Sequence, residues 1–191
     1  KRILIIIQRS NGDVLFSLPL IDALTNFYSS IQIDLLVNDD TYSLAALLPN
    51  INFIHKFSYK KKNEGNYKQE KFILSKIFRK YDLSINLTAS DRSVVYALAA
   101  SSKSISAIEM DNKKSWWKKM FLYKYYFFDF DDHILINNLK SLNSLNIKYD
   151  KKIIAPIISS KIKEDMLTLL NKKGINKFII FHPSAQYKYK V

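Results

Sequence analysis

The architecture of this chain is decided by its first 27 residues, KRILIIIQRSNGDVLFSLPLIDALTNF. The apolar run Lys1–Ile7 has the length and isoleucine content of a strand that is buried on both faces of a parallel sheet. A polar turn follows, and apolar residues then recur at helical spacing up to Phe27, with Asp13 placed to cap the first turn. Pro19 is tolerated only near the start of such a helix. A strand, a turn and a helix in this order open a βαβ unit.

The same alternation continues along the chain. We predict strands near residues 31–37, 51–57, 82–87 and 103–108, and helices near residues 41–48, 68–81, 93–100 and 133–145. Because parallel strands need crossover helices, this pattern predicts an α/β domain with a doubly wound, Rossmann-like sheet. A polar loop is expected at residues 60–65, and residues 111–130 break the rhythm with aromatic residues set among lysines.

The pattern predicts two domains. Residues 1–150 are expected to form the first Rossmann-like domain, and residues 146–156 resemble a linker by their polarity. Residues 151–191 are expected to hold this linker and the beginning of a second α/β domain, with a helix near 161–172, Gly174 as its C-cap and a strand at 177–181. We expect that the rest of this second domain lies outside the sequence.

Composition excludes several classes of protein and site. With 191 residues, of which 48% are hydrophobic and 25% charged, the chain is expected to fold as a globular protein. It contains no cysteine, which excludes disulfides and thiolate zinc sites, and its three histidines lie far apart, so no metal site is expected. Its apolar runs are shorter than the roughly 20 residues that a membrane-spanning helix needs. A cytoplasmic location is the expectation.

The formal net charge of +13 would attract phosphate-rich partners such as nucleic acid, anionic lipid or nucleotides. The lysines are spread along the chain among many asparagines, so a nucleotide bias in the source genome explains the charge equally well. Because the sequence contains no nucleic-acid-binding motif, a nucleic-acid partner is not expected.

A first candidate site is the turn between the first strand and its helix. In doubly wound sheets, ligands bind beyond the carboxyl ends of the strands, which is where this turn lies. It lacks the G-x-G-x-x-G pattern, which disfavours a dinucleotide-dependent dehydrogenase. The carboxylate of Asp13 could accept a proton from a substrate hydroxyl, although an Asp at a helix start is also a common N-cap.

A second candidate site follows the predicted strand at 177–181. His182-Pro183-Ser184-Ala185 supplies small residues that let backbone amides approach a diphosphate, and Lys190 supplies positive charge nearby. On its own such a basic loop is a weak signal.

Together the motifs are more specific. Three motifs resemble those of the heptosyltransferase family, glycosyltransferase family 9. They are the apolar strand followed by Ser10-Asn11-Gly12-Asp13-Val14, then Tyr81-Asp82-Leu83-Ser84-Ile85-Asn86, and finally His182-Pro183-Ser184-Ala185 with Lys190. These are enzymes of the two-domain GT-B fold that build the inner core of bacterial lipopolysaccharide. The resemblance extends over the whole chain in the correct order.

The resemblance implies a role for particular residues. Asp13 matches the proposed catalytic base, which deprotonates the acceptor hydroxyl for inverting attack on the anomeric carbon of a nucleotide-activated heptose. Ser10 and Gly12 match the surrounding donor-binding loop. His182, Ser184 and Ala185 match a loop that contacts the donor diphosphate. Lys190 matches a lysine that also contacts this diphosphate. Neither a metal ion nor another cofactor is implied, since the nucleotide sugar is a substrate.

Some positions depart from the family pattern. Ser184 replaces a glycine, Asn86 stands where the family commonly has Asp, and Thr88-Ala89 replaces Gln-Gly. These departures leave the exact sugar open.

Two further residues lie near the predicted cleft. Arg92, just after the fourth strand, could bind a phosphate or carboxylate of the acceptor by paired hydrogen bonds, or it could be an ordinary surface arginine. His133 matches a histidine at a helix start in the family, and we expect it to cap that helix or to pack.

The aromatic and basic stretch Trp116–Phe130 has two interpretations. Rings and lysines of this kind are favoured at a membrane interface, so the stretch could hold the protein against the inner face of the inner membrane. Alternatively, the aromatic residues fill the core.

These observations predict a metal-independent inverting glycosyltransferase that transfers heptose from an ADP-heptose-like donor to an anionic, lipid-linked inner-core acceptor. One alternative is a transferase of the same family that uses another sugar. The other is a basic α/β module without catalytic activity, which binds anionic lipid or nucleic acid.

Overall fold

The computed structural model describes residues 1–63, 68–110 and 113–181. The chain divides into two units, Lys1–Ile157 and Ile158–Val191. In the described residues, no helix is both long enough and apolar enough to cross a membrane.

The first unit is built on a parallel sheet. Its strands within the described residues are β1 (Arg2–Ile7), β2 (Gln32–Asn38), β3 (Ile51–Phe57), β4 (Leu83–Asn86), β5 (Ser104–Glu109) and β6 (Lys124–Phe128). They stand in the order β3-β2-β1-β4-β5-β6, and every neighbouring pair is parallel. This order confirms the predicted doubly wound α/β fold, because the chain builds outward from β1 in one direction and then from β4 in the other.

Helices cover both faces of this sheet. In the first unit they are α1 (Asn11–Leu15), α2 (Leu18–Phe27), α3 (Tyr42–Ala45), α4 (Tyr59–Asn63), α5 (Lys68–Ile77), α6 (Asp91–Ala100), α7 (Trp116–Phe121) and α8 (Ile134–Asn143). Apolar residues of α1, α2, α3 and α8 pack on one face, and those of α5 and α6 pack on the other.

The two faces explain why β1 is apolar at every position after Arg2. Ile3, Ile5 and Ile7 belong to the core under α1 and α2, whereas Leu4 and Ile6 belong to the core under α5 and α6. All five side chains are fully buried. A strand at the centre of a doubly wound sheet has no solvent face, so it shows no alternation of apolar and polar residues.

The helical stretch after β1 is not continuous. Two helices, α1 and α2, replace the single helix that was predicted, and Pro19 stands at the second position of α2. Proline is accepted there because the backbone N–H that it lacks would have no partner within the helix. A further correction concerns the predicted loop at 60–65, since Tyr59–Asn63 forms α4, while residues 64 and 65 lie outside the described residues.

Residues 111–130 contain elements that the sequence pattern did not predict, namely α7 and the edge strand β6. In β6, Tyr126 and Phe128 are buried while Tyr125 and Phe127 are exposed. This alternation is invisible in the sequence because aromatic residues occupy both faces of the strand.

Residues 146–156, which were expected to form a linker, pack instead on the first unit. Ile147, Tyr149 and Ile154 join the core under α1 and α2. The Ile157 backbone N–H donates to the Leu47 carbonyl at 3.0 Å.

The second unit contains α9 (Ser160–Lys172) within the described residues. Gly174 follows it with φ of +64°, the left-handed conformation of a helix C-cap, as predicted. The strand predicted at 177–181 is not formed in the described part of the chain, where these residues are exposed. A strand requires a paired neighbour, which hydropathy alone does not show.

A buried polar network joins β1, β2 and β3 at the amino-terminal ends of these strands, which we call the amino-terminal edge of the sheet. Asp34 is fully buried, and its Oδ2 accepts hydrogen bonds from Arg2 Nη2 at 2.7 Å and from the Tyr81 hydroxyl at 2.7 Å. Its Oδ1 accepts one from Asn52 Nδ2 at 2.8 Å. His55 Nε2 lies 3.0 Å from the Tyr81 oxygen. Because the single hydroxyl hydrogen of Tyr81 goes to Asp34, His55 Nε2 donates to Tyr81.

Candidate active site

The carboxyl ends of β1 and β4 form the topological switch point of the sheet. The chain continues from β1 to α1 on one face and from β4 to α6 on the other, so a crevice opens between the two connections. The Gln8 backbone N–H donates to Thr88 Oγ1 at 2.9 Å and joins the two loops. Ligands of doubly wound proteins bind at this kind of position.

Asp13 lies at this edge, at the third position of α1, and its side chain is 15% exposed. Ser10 rather than Asp13 is the N-cap of α1, and Asp13 caps the first turn as the third residue of a capping box. Asp13 Oδ2 accepts hydrogen bonds from the Ser10 backbone N–H at 3.0 Å and the Ser10 hydroxyl at 2.7 Å. The backbone bond is the contact that the third residue makes in a capping box, and it fixes the orientation of the carboxylate.

Arg9 is the second partner of Asp13, and the sequence analysis missed it. Arg9 Nε lies 3.2 Å from Asp13 Oδ1, and the guanidinium carbon lies 4.9 Å from the Phe128 ring centroid. Each carboxylate oxygen has two lone pairs; both hydrogen bonds from Ser10 go to Oδ2, and Arg9 Nε faces Oδ1 as an ion pair without making a hydrogen bond. Asp13 therefore keeps room for one more donor. The four-residue spacing between Arg9 and Asp13 was the available signal.

The fold gives no reason for a glycine at position 12. A Cβ atom built there would have one neighbour within 4 Å among the described residues, the Ser10 hydroxyl oxygen at 4.0 Å. Gly12 is exposed, as is Ser10. A bare backbone at this edge suits the close approach of a ligand.

Arg92 is oriented by aromatic rings rather than free in solvent. Its guanidinium carbon lies 4.0 Å from the Phe57 ring centroid and 4.8 Å from that of Tyr59. Arg92 Nη2 donates to the Tyr59 hydroxyl at 2.8 Å. These contacts hold the guanidinium in place, and the role of Arg92 in acceptor binding stays a prediction.

Several buried polar atoms near this edge have no hydrogen-bond partner within the described part of the chain. They include both side-chain amide atoms of Gln8, which is 4% exposed, and Asn38 Oδ1. The Tyr96 hydroxyl, Arg92 Nε and Glu70 Oε2 are also among them. Burial raises the pKa of Tyr96 to about 12; Glu70 contributes to the rise and Arg92 opposes it. Buried polar groups normally have partners, so this cluster marks the edge as unusual.

Two side chains hold the loop after β4. Lys118 is buried, and its Nζ donates to the Ala89 carbonyl at 2.8 Å and lies 2.7 Å from Asp91 Oδ1. Asn86 Nδ2 donates to Ser106 Oγ at 2.9 Å, and Asn86 Oδ1 accepts from the Thr88 backbone N–H at 3.0 Å. Asn86 is buried beneath the loop and shapes it.

His133 is the N-cap of α8, as expected. Its Nδ1 accepts a hydrogen bond from the Leu135 backbone N–H at 3.2 Å, and its ring packs edge-on against Phe16 at 4.7 Å between centroids.

The predicted donor loop lies outside the described residues. This applies to His182, Ser184, Ala185 and Lys190. Among the residues that are described, no cluster of three His, Asp or Glu side chains could hold a metal ion.

An open groove of about 1120 Å³ lies elsewhere, beside α2 and residues 143–154. The contact between Lys152 and Asp22 at 3.8 Å lies within its lining. The topology gives this groove no link to the carboxyl ends of the strands, so we assign the chemistry to the switch point.

Comparison with curated proteins finds relatives of this chain. No family model matches the chain. Lipopolysaccharide heptosyltransferase 3 of Escherichia coli (strain K12) is 28% identical over 190 residues. The chain resembles the heptosyltransferases. The match covers 96% of this chain and 54% of that relative, so the chain spans about half the length of that heptosyltransferase.

Solved structures show the same fold. The glycosyl transferase family 9 protein of Veillonella parvula DSM 2008 matches with a TM-score of 0.71 at 18% identity, over 94% of this chain and 51% of that one. Heptosyltransferase WaaC of E. coli, solved with ADP-2-deoxy-2-fluoro heptose, matches with a TM-score of 0.65 at 15% identity, over 80% of this chain and 50% of that one. The predicted heptosyltransferase resemblance and GT-B type of fold are confirmed.

Proposed function

We propose that this chain carries the acceptor side of an inverting glycosyltransferase. It would transfer a heptose from an ADP-heptose-like donor to the inner core of lipopolysaccharide or lipooligosaccharide. The observation that carries the proposal is the oriented carboxylate of Asp13 at the switch point of a sheet that resembles those of heptosyltransferases. The ADP-2-deoxy-2-fluoro heptose bound to a protein of similar fold supports the choice of donor.

In the proposed reaction, Asp13 accepts the proton of an acceptor hydroxyl. The hydroxyl oxygen forms a bond to the anomeric carbon of the donor as the bond to the nucleotide diphosphate breaks, and configuration is inverted. The free lone-pair site on Asp13 is the proton acceptor, while Ser10 and Arg9 keep the carboxylate in place. Arg9 is therefore a positioning residue.

Arg92 is the proposed acceptor-binding residue. Because the Phe57 and Tyr59 rings and the Tyr59 hydroxyl restrict its guanidinium, Arg92 loses little entropy on binding a carboxylate or phosphate through two hydrogen bonds. An anionic sugar acid or a phosphorylated lipid-linked sugar is the matching acceptor chemistry.

The donor diphosphate is assigned, through the family resemblance, to Ser10, Gly12, His182, Ser184, Ala185 and Lys190. The proposed reaction requires neither a metal ion nor another cofactor. Because nucleotide sugars are cytoplasmic, the proposal puts transfer at the cytoplasmic face of the inner membrane.

The test is a product assay on the full-length protein, with ADP-heptose, other nucleotide sugars and a purified inner-core acceptor, read by mass spectrometry. We expect the mass of one heptose to be added. Asp13→Asn should lower turnover by about 10²- to 10⁴-fold, with donor affinity nearly unchanged.

Asp22→Asn is the matched control, since this carboxylate on α2 lies away from the switch point and should leave turnover unchanged. Normal turnover of Asp13→Asn would remove Asp13 from the mechanism. Product formed from another nucleotide sugar would show that the transferred sugar is not heptose. Absence of product from every donor, together with strongly salt-dependent binding to polyanions, would favour the non-catalytic module.

A further inference from the structure

The outer surface of α7 and β6 is unusually rich in exposed aromatic and apolar side chains. We call it the aromatic-basic surface; its apolar members are Trp116, Met120, Phe121, Tyr123, Tyr125 and Phe127. Trp116, Met120 and Phe121 are 64%, 60% and 61% exposed. A soluble protein rarely exposes so many large apolar side chains together unless they contact a partner.

These side chains are not part of the core of the first unit. The core contacts of α7 come from its other side, where Trp117 packs against the buried cluster of Val94, Ile108 and Leu122. Within β6, Tyr126 and Phe128 supply the core contacts. Both elements therefore have a complete inner face, and the exposed rings are additional to it.

The charges of this surface have one sign. Residues 113–128 contain five lysines and no acidic residue. Lys118 is buried against Asp91, so four of the five lysines are exposed, and Lys124 Nζ also donates to the Ser144 carbonyl at 2.6 Å. Lys119 Nζ lies 5.3 Å from the Phe127 ring centroid, and Lys124 Nζ lies 5.7 Å from that of Tyr123. Lysine ammonium groups thus alternate with aromatic rings over the surface.

We propose that the aromatic-basic surface rests on the interface of an anionic lipid bilayer. Aromatic rings and apolar side chains are favoured at the headgroup boundary, and lysines beside them attract anionic headgroups. A protein partner could also pack against these rings, but it would need carboxylates placed opposite the lysines. An anionic bilayer presents negative headgroups over its whole surface, so no such matching is needed. The proposal does not depend on sugar transfer, although it would bring the switch-point crevice close to a lipid-linked acceptor.

The experiment is sedimentation of the full-length protein with vesicles of phosphatidylcholine, with and without phosphatidylglycerol. The test variant is Trp116→Ser/Met120→Ser/Phe121→Ser, which changes exposed side chains and leaves the half-buried Trp117 in place. We expect its partitioning onto anionic vesicles to fall at least about tenfold. In a second variant, Lys113→Gln/Lys119→Gln, we expect a loss of about fivefold for each lysine.

The control is Phe27→Ser/Phe72→Ser/Phe78→Ser, which removes three equally exposed rings from other helices and loops. It should bind vesicles like the wild type. Equal sedimentation of the test variant and the wild type would overturn the proposal, as would equal loss in the control. The thermal unfolding midpoint of each variant shows whether it is folded.

Activity separates this proposal from the proposed function. With a water-soluble acceptor that lacks lipid, the test variant should turn over like the wild type. Loss of vesicle binding without loss of soluble turnover supports the proposal whatever the donor is. Vesicle binding that persists in the variant overturns it, even if transfer is confirmed.

Discussion

The two ends of β1 and β2 differ in how their buried polar side chains are paired. At the amino-terminal edge, Asp34 is fully buried, and Arg2, Tyr81 and Asn52 all donate to it. At the carboxyl-terminal edge, the side-chain amide of Gln8 is buried without a partner in the described part of the chain.

The difference separates stability from function. A buried charge whose lone pairs are filled ties strands together, and removing its partners leaves unpaired groups. Buried polar atoms without partners lower the free energy of unfolding, so they persist where activity requires them. The amino-terminal edge thus holds β1, β2 and β3 in register, and the carboxyl-terminal edge is available for a substrate.

The largest effect on stability is expected at Asp34. Asp34→Ala leaves the Tyr81 hydroxyl and the Asn52 amide without their acceptor, while Arg2 remains partly solvated. We expect a loss of about 3 kcal/mol in the free energy of unfolding, measured by urea denaturation. Asp39→Ala, at an exposed carboxylate, should change it by less than about 0.5 kcal/mol. An equal loss of unfolding free energy in Asp34→Ala and Asp39→Ala would contradict the stabilising role of the amino-terminal edge.

Arg9 should affect turnover more than stability. Arg9→Met removes the contact with Asp13 Oδ1, so only the hydrogen bonds from Ser10 to Oδ2 still hold the carboxylate. We expect turnover to fall between about tenfold and a hundredfold without a change in the KM for the donor. Because the pair is partly exposed, the free energy of unfolding should fall by no more than about 1 kcal/mol. A raised donor KM with normal turnover would instead make Arg9 a donor-binding residue.

Gln8 offers a gain in stability at the carboxyl-terminal edge. Gln8→Met keeps the length of the side chain and removes its unpartnered amide. The free energy of unfolding should rise by about 1 kcal/mol. The matched change at the other edge, Asn52→Ala, should lower stability because it breaks a bond to Asp34. A destabilised Gln8→Met protein would show that the amide serves the fold.

The smallest effect is the pH dependence from His55. Burial lowers the pKa of His55, and the positive charges of Arg2, Lys80 and Lys76 add to the shift while Asp34 opposes it. Below a pH of about 6.5 the unfolded chain binds a proton that the folded protein resists. The free energy of unfolding should therefore have its full value above that pH, and it should fall as the pH drops from 6.5 toward the pKa of His55 in the folded protein. His55→Gln, which can still donate to Tyr81, should remove this part of the pH dependence in urea titrations.

Much of the fold could be predicted from the sequence because Ile3–Ile7 of β1 are all apolar and helices alternate with strands. The elements at residues 111–130 could not, because aromatic residues on both faces of β6 hide its period of two. Asp13 was found through its motif. Its partners Ser10 and Arg9, and the stacking of Arg92 between Phe57 and Tyr59, depend on side-chain geometry that residue spacing does not show.

The most direct test of this division compares Asp13→Asn with Asp34→Asn by measuring turnover and urea unfolding on the same preparations. The account predicts a crossed result: Asp13→Asn loses turnover and keeps most of its stability, whereas Asp34→Asn loses stability and, while folded, keeps its turnover. Asp13→Asn with normal turnover, or folded Asp34→Asn as inactive as Asp13→Asn, would contradict it.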